Sequence, residues 1–481
     1  MLIPLTVALL TYNRSHYLRE AMEGILAQTY RDFEFLILDN GSTDDTPTVV
    51  LGFCDERIRY VRNPPGLEAQ FNGISALKIA RGERIVITHD DDVMQPEMLA
   101  RQMATMNAHP GMTAVWTNTS TIDQDSNTIQ ERFTPQGNDR IYGTGEFIAR
   151  FPSENLWPLP STMMFERAKY PRQAIDRWYY NRAQGKLLPD THGGDDVLIP
   201  AMMNTFGPVA FLNEPLLKYR RHGIQDGNCT HLSLGILNTY RILRRFAGKL
   251  PNKDEVVPLM ESHLARFTVQ HEVIHRSAPQ LPRNTREKLK KLFDKAQLTH
   301  PHDPMATIPL LPLRILLAQT GYGTEVFEGL TAPGPEHPTS MHALFHWAKL
   351  RQAQKNLFAP LPEQTNIAIL GSALVSALLI NEARERGLNV LACIDSNITR
   401  QNMTMLNTPI YPPGWLSSKN HGINYVVISS ERDQDTYLRN LIYSLNSRII
   451  TISWKELALP CNEKNKPDHN HSNNTKQKDR Q

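Results

Sequence analysis

The tightest constraint on the fold of this 481-residue chain is an alternation near its start, where short apolar runs are separated by stretches with helical spacing. Leu5 to Leu10 and Phe33 to Leu38 form the first two runs, and between them Leu18, Met22, Ile25 and Leu26 recur along one helix face. A third run, Ile58-Arg59-Tyr60-Val61, leads through Pro64-Pro65-Gly66 into a helical stretch from about Glu68 to Ala80. A fourth, Arg84-Ile85-Val86-Ile87, ends in Thr88-His89-Asp90-Asp91-Asp92. Strands joined through helices lie parallel, and open parallel sheets bind ligands beyond the carboxyl ends of their strands. The polar clusters that close the runs, Thr11 to Arg14, Asp39 to Asp44 and the acidic triplet, are therefore predicted to converge on one rim.

Three adjacent carboxylates either bind a cation or repel one another. Mg²⁺ and Mn²⁺ prefer carboxylate oxygen, and with few protein ligands they complete their shell with water and substrate phosphate. The triplet thus points to a nucleotide-phosphate substrate. The plainer reading is a solvated acidic turn before a helix capped around Pro96 and Glu97.

Read together, Leu10-Thr11-Tyr12-Asn13-Arg14, Gln28-Thr29-Tyr30-Arg31-Asp32-Phe33-Glu34, Asp39-Asn40-Gly41-Ser42-Thr43-Asp44 and Asp90-Asp91-Asp92 with Pro96 resemble a family 2 glycosyltransferase of the GT-A fold. The resemblance covers roughly the first 225 residues, a size suited to one domain. It implies a metal-dependent, inverting transfer of a sugar from a nucleoside diphosphate, UDP by preference, to a hydroxyl in surface glycan or glycoconjugate synthesis. The implied cofactor is Mn²⁺ or Mg²⁺, and the implied acceptor is a glycan, a lipid-linked sugar or a protein. Thr11, Tyr12, Asn13, Arg14, Asp39, Asn72 and Asp90 would then surround the nucleotide, with Asp39 accepting a hydrogen bond from the base. Asp91 would be the first metal ligand and Asp92 its neighbour. His89 stands where the family often has Asp.

The acceptor hydroxyl must lose a proton on the face of the sugar opposite the leaving group. In the family an acidic pair holds this place, and Gly193-Gly194-Asp195-Asp196 before the apolar Val197-Leu198-Ile199 fits it. Asp196 is the candidate base and Asp195 its reserve; an Asp N-cap on the following helix is the structural alternative. Lys218-Tyr219-Arg220-Arg221-His222-Gly223 resembles the family's closing segment, which implies Arg220, Arg221 and His222 near the diphosphate. Trp157, in the stretch to Phe165, falls where the family contacts acceptors. The rival readings are a sugar-phosphate nucleotidyltransferase, which lacks support because no glycine-rich basic loop opens the chain, and a non-catalytic nucleotide-sugar-binding or scaffold protein.

Composition fits an enzyme of this kind. A net charge of +3 does not ask for nucleic acid, and the scattered Cys54, Cys229, Cys393 and Cys461 have no metal-like spacing and suit a reducing, cytoplasmic compartment. No apolar run is long enough to span a bilayer, although a lipid-linked acceptor would bring the enzyme to the inner face of the membrane peripherally.

The GT-A domain is expected over residues 1–230 and a helical connector over 231–360. His271-Glu272-Val273-Ile274-His275 in the connector matches the helical zinc-protease pattern. Without an evident third ligand, and with Pro279 and Pro282 close behind, these read as solvated helix-face histidines. From 365 to 460 a strand ending at Gly371, an apolar helix, a strand ending at Asp395 and a further strand from Tyr425 predict a smaller Rossmann-like α/β domain. Its glycine fingerprint is incomplete, which favours a structural or partner-docking role over a bound dinucleotide. The polar stretch 462–481 reads as a disordered tail.

Overall fold

A computed structural model describes residues 3–64, 69–134, 137–154, 158–170, 195–222, 232–274, 281–299, 307–335, 337–396, 400–418, 421–431 and 433–459. The first part is the expected α/β layer. Strands β1 (Ile3–Thr11), β2 (Glu34–Asp39), β3 (Ile58–Arg62), β4 (Gly82–His89), β5 (Val93–Met94), β6 (Ala114–Ile122), β7 (Thr128–Gln130), β8 (Arg140–Tyr142), β9 (Met163–Glu166) and β10 (Val209–Arg220) make one ten-stranded sheet. Its order is β3-β2-β1-β4-β9-β6-β10-β5, with β7 on β6 and β8 on β10. The block from β3 to β4 is parallel, as is the β6/β10 pair, and β9 runs antiparallel between them.

Strand alternation decides which side chain enters which layer. Leu5, Val7 and Leu9 of β1 join Leu18, Met22 and Ile25 of the helix Ser15–Leu26 on one face, whereas Ala8 joins Ile74 and Leu77 of the helix Ala69–Ile79 on the other. Gly82 opens β4 where the chain has no room for a side chain, because a Cβ there would run into the backbone of Leu5 and Thr6.

The register then sets the rim. Thr11 lies opposite Asp39, Asp39 opposite Arg62, and Leu10 opposite His89, so the carboxyl ends of β1 to β4 finish level.

A second sheet is built from β11 (Asn366–Leu370), β12 (Asn389–Ile394), β13 (Thr404–Met405), β14 (Thr408–Tyr411), β15 (Tyr425–Ile428) and β16 (Ile450–Ser453). Its order is β13-β14-β12-β11-β15-β16 and only the β13/β14 pair is antiparallel. This is the smaller Rossmann-like unit expected. At its topological switch point Gly371 has φ +117°, and a Cβ there would strike the Ser429 hydroxyl. That hydroxyl bonds the Leu370 carbonyl at 2.7 Å and Ser376 Oγ at 2.8 Å, tying β15 to β11 and the helix after it.

The apolar core of this second unit does not stop at Thr365. Leu313 and Leu317 of the helix Leu311–Gln319, and Leu344 and Trp347 of the helix Thr339–Gln352, are fully enclosed with Ile367, Leu378 and Trp454 in one cluster. The rings of Trp347 and Trp454 are 5.9 Å apart. Buried Glu382 accepts from Gln319 Nε2 (2.9 Å), the Leu357 amide (2.9 Å) and Arg351 (3.4 Å), tying the preceding helices to the helix Leu374–Glu385. A further link runs from Arg266 to Glu431 at 2.6 Å.

Two outcomes follow from this packing. A chain cut at Pro360 strips Trp454, Leu378 and Ile367 from the helices before it. It should lose the cooperative melt of that region; circular dichroism and limited proteolysis showing a full-length-like transition in 1–360 would refute the shared core.

His263, fully buried on the helix Lys253–Ile274, donates Nε2–H to the Ala149 carbonyl at 3.0 Å, since a carbonyl can only accept. Burial, aided by Arg266 and opposed by that bond, lowers its pKa from 6.5 to about 3. Between those values the unfolded chain takes up a proton that the folded chain refuses. Stability is therefore lost as pH falls below about 6.5, by on the order of 4 kcal/mol near pH 3. Urea titrations across this range should show a shallower acid loss for His263→Gln, and equal slopes would rule out His263 as the cause.

Candidate active site

The rim formed by β1, β2 and β4 gathers the predicted polar clusters, and each carboxylate of the triplet meets a different fate. Asp90 is buried and turns toward β1, where Oδ2 accepts from Thr11 Oγ1 (2.7 Å) and the Tyr12 amide (3.2 Å). Its Oδ1 meets Arg14 at 3.2 Å. Burial raises its pKa, and the neighbouring Asp91 charge adds to that, against the pull of Arg14 and the two hydrogen bonds.

Asp91 points its Oδ2 at Arg14 (2.8 Å) and His222 Nε2 (3.0 Å). Burial alone would raise its pKa, but His89, His222 and Arg14 outweigh burial and lower it. Asp91 is therefore the carboxylate held ionised.

Asp92 turns inward. It accepts from Ser161 Oγ at 2.6 Å and from the Arg220 amide at 3.1 Å, and it is fully enclosed. Burial, with Asp91 beside it, pushes its pKa up to about 8. Ser161 and the Arg220 amide of β10 thus engage one oxygen each, and the carboxyl faces the interior. His89 Nδ1 lies 3.1 Å from the same Ser161 hydroxyl.

Arg220 also departs from expectation. Its guanidinium is buried and spent on internal acceptors: the Asp91 carbonyl (2.9 Å), the Asp123 carbonyl (3.1 Å), Ser126 Oγ (2.8 Å) and Glu20 (2.6 Å), with the Tyr17 ring 4.6 Å away. It cannot face a diphosphate from there. It braces the Asp91 loop against the first helix and the turn after β6. Arg221 is exposed beside it, and His222 is the member whose side chain reaches a carboxylate of the triplet.

Asp39, fully buried at the end of β2, accepts from Tyr60 Oη (2.6 Å) and the Ser42 amide (2.7 Å) and lies 3.4 Å from Arg62. Asn13, in the left-handed region at φ 51°, pins two loops together: Ser42 Oγ accepts from its amide (3.0 Å), and its Oδ1 accepts from the Thr43 amide (2.7 Å). Asn72 is a bracket behind the rim, donating to the Leu38 carbonyl (3.1 Å) and accepting from Asn63 (2.7 Å). Tyr12 stays half exposed at the mouth.

Sequence reasoning missed Tyr60, Arg62, Ser161 and Glu20. Tyr60 was legible as a strand residue, but its pairing with Ile37, which brings its hydroxyl to Asp39, is a matter of register. Asp195 and Asp196 begin the helix Asp195–Asn204; their side chains, like Trp157 and Gly193-Gly194, lie outside the described residues. Among the described residues no group of three or more His, Cys, Asp or Glu side chains closes on a point that would hold a metal ion. In the connector Glu272 pairs with Lys288 at 2.8 Å, and His275 lies outside the described residues.

With this geometry in place, residues 6–170 match the model of the family described as Glycosyl transferase family 2, so the N-terminal region carries a domain of that family. The chain is similar to an uncharacterized glycosyltransferase of Methanocaldococcus jannaschii, with 30% identity over 178 residues, 35% of this chain and 60% of that protein. It is 36% identical over 100 residues to glycosyltransferase GlyG of Streptococcus pneumoniae, covering 20% of this chain and 32% of the relative. It is 33% identical over 96 residues to WfgD of Escherichia coli, named a UDP-Glc:alpha-D-GlcNAc-diphosphoundecaprenol beta-1,3-glucosyltransferase, covering 20% and 38%. The chain thus spans less than two thirds of the length of these relatives. Among solved structures, residues 1–349 of S. aureus TarS in complex with UDP-GlcNAc align at 14% identity and TM-score 0.42, covering 80% of this chain and 92% of that one.

The bracing by Arg220 is open to measurement. Arg220→Met leaves the Asp91 and Asp123 carbonyls and Glu20 without their buried donor, and should destabilise the protein by about 3 kcal/mol in urea unfolding. A loss within about 0.5 kcal/mol, the range of an ordinary surface change, would contradict the brace.

Proposed function

We propose that this chain is a metal-assisted, inverting glycosyltransferase that takes a sugar from a UDP-sugar and passes it to a hydroxyl of a lipid-linked glycan. The observation that carries the reading is Asp91, a carboxylate kept ionised at the carboxyl end of β4 within the matched domain and reached by both Arg14 and His222. The lipid-linked acceptor is suggested by the activity for which the Escherichia coli relative is named.

The donor set suits a hard divalent ion that leans on its substrate. Asp91 and His222 would hold Mn²⁺ or Mg²⁺, and the shortage of other protein ligands leaves the rest of the shell to diphosphate oxygens and water. Bound there, the ion would neutralise charge that gathers on the leaving diphosphate.

The chain's own residues do the remaining work. Asp39, fixed by Tyr60 and Ser42, offers a buried carboxylate to a base N–H. Tyr12 supplies an exposed ring at the same mouth. Arg14 exchanges Asp91 for the diphosphate as the nucleotide enters, and Arg221 adds positive charge from the surface. Asp196, at the start of its helix, takes the proton from the acceptor hydroxyl, with Asp195 as the reserve.

Calorimetry tests the scheme in two parts. Mn²⁺ alone should bind weakly, UDP should bind more tightly with Mn²⁺ than with chelator, and Asp91→Ala should abolish the difference. Asp196→Asn should keep UDP binding and lower sugar transfer by roughly 10²–10⁴-fold. Metal-independent UDP affinity in the wild type sinks the metal assignment, and full transfer by Asp195→Asn, Asp196→Asn and the double variant sinks the base.

A further inference from the structure

The formal charge of this protein is unevenly spread. Residues 232–299 hold thirteen Lys and Arg against six Asp and Glu, a net +7, while the whole chain is only +3, so all other residues together carry −4. This segment forms the helices Leu232–Ala247, Lys253–Ile274 and Arg283–Thr299, the middle one packed against both others.

The ion pairs show which side of each helix looks the same way. Glu261, on the middle helix, is shared by Arg244 of the first helix and Lys295 of the third, the latter at 3.2 Å. Eleven residues on, which is three helical turns and the same face, Glu272 meets Lys288 of the third helix at 2.8 Å. Lys291 lies between Lys288 and Lys295 along the row i, i+3, i+7. Arg241 and Arg245 continue the band on the first helix at i and i+4, Lys249 follows in the turn just past its end, and all three are exposed, as is Lys291.

Depth decides the sign of this surface. The Glu261 and Glu272 side chains are sunk to 13% and 19% exposure, whereas Arg244, Lys295 and Lys288 stand over them at 44%, 62% and 55%. In these three pairs the carboxylates lie beneath and the cations outermost. The other acids of the third helix are answered locally, Glu287 by Arg283 and Asp294 by Lys290.

We propose that this three-helix face docks on an anionic lipid bilayer, with Arg241, Arg245, Lys249 and Lys291 meeting acidic headgroups. Side-by-side helices about 10 Å apart and up to about 33 Å long make a broad, shallow plane of charge. A plane suits a headgroup layer, whose negative potential attracts clustered Lys and Arg. Nucleic acid is the poorer match, because single strands need rings for base stacking and the exposed residues of the band supply none. Among the described residues no helix is long and apolar enough to cross a membrane. The proposal does not depend on the transferase reading, and its test reads vesicle binding rather than activity.

The experiment is co-sedimentation of the full chain with phosphatidylcholine vesicles and with vesicles in which phosphatidylglycerol replaces part of the phosphatidylcholine. Binding should be confined to the anionic vesicles and fall steeply with added salt. The triple variant Arg245→Glu, Lys249→Glu, Lys291→Glu should bind them on the order of a hundredfold more weakly or worse. A control of equal charge change per residue on other exposed sites, Lys355→Glu with Arg448→Glu, should bind like the wild type. Absence of binding to anionic vesicles, an equal loss in the control, or displacement of the wild type from vesicles by an oligonucleotide at lower charge concentration than the lipid would each overturn the assignment.

Discussion

Three consecutive carboxylates at the end of one buried strand cannot all stay ionised and unpaired, and the N-terminal domain is organised around that constraint. Coulomb repulsion and desolvation both favour protonation, so each group needs a separate solution. Asp90 is drawn to β1 by Thr11, Tyr12 and Arg14; Asp92 is drawn inward by Ser161 and the end of β10; Asp91 is the one whose pKa is lowered, under His89, His222 and Arg14. The first two thereby join β4 to strands on either side of it. What stays at the rim is Asp91, held between two neighbours that are fixed to other strands.

The same economy holds for the cations. Arg220 and Arg14 stand at opposite ends of the triplet, yet burial assigns them different work. Arg220 donates to the Asp91 and Asp123 carbonyls from a buried position and so fixes the loop, while Arg14 stays partly exposed beside its two carboxylate partners. The helices after residue 232 face two ways: inward, the first packs on the core of the first sheet, the third on that of the second sheet and the middle one on both, while outward Arg244, Lys288 and Lys295 stand over the sunken Glu261 and Glu272. Packing on one side is what aligns the charges on the other.

Much of this was legible in the chain. Alternating apolar runs predicted the parallel strands, and the polar clusters after Leu10, Leu38 and Ile87 predicted the rim, because strand direction and the level ends follow from strand, helix, strand order. Asp39 and Asp91 stood out for the same reason. The roles of Asp92 and Arg220 were not legible, since a residue name gives charge but not depth. Tyr60 and Ser161 were invisible as partners because each meets its carboxylate only through pairing between strands distant in sequence. The boundary near Thr365 was drawn from local pattern, and local pattern says nothing about Trp347 reaching Trp454.

The sequence by itself determined the secondary elements, their parallel order and the chemical types collected at the carboxyl edge, because these depend on periodicity and on neighbours close in the chain. Tertiary structure decided which carboxylate is ionised, which arginine is a brace and where one core ends and the next begins. Those properties depend on desolvation and on partners brought together from far apart, such as Asp91 with His222 and Glu20 with Arg220, and only the folded chain fixes either one.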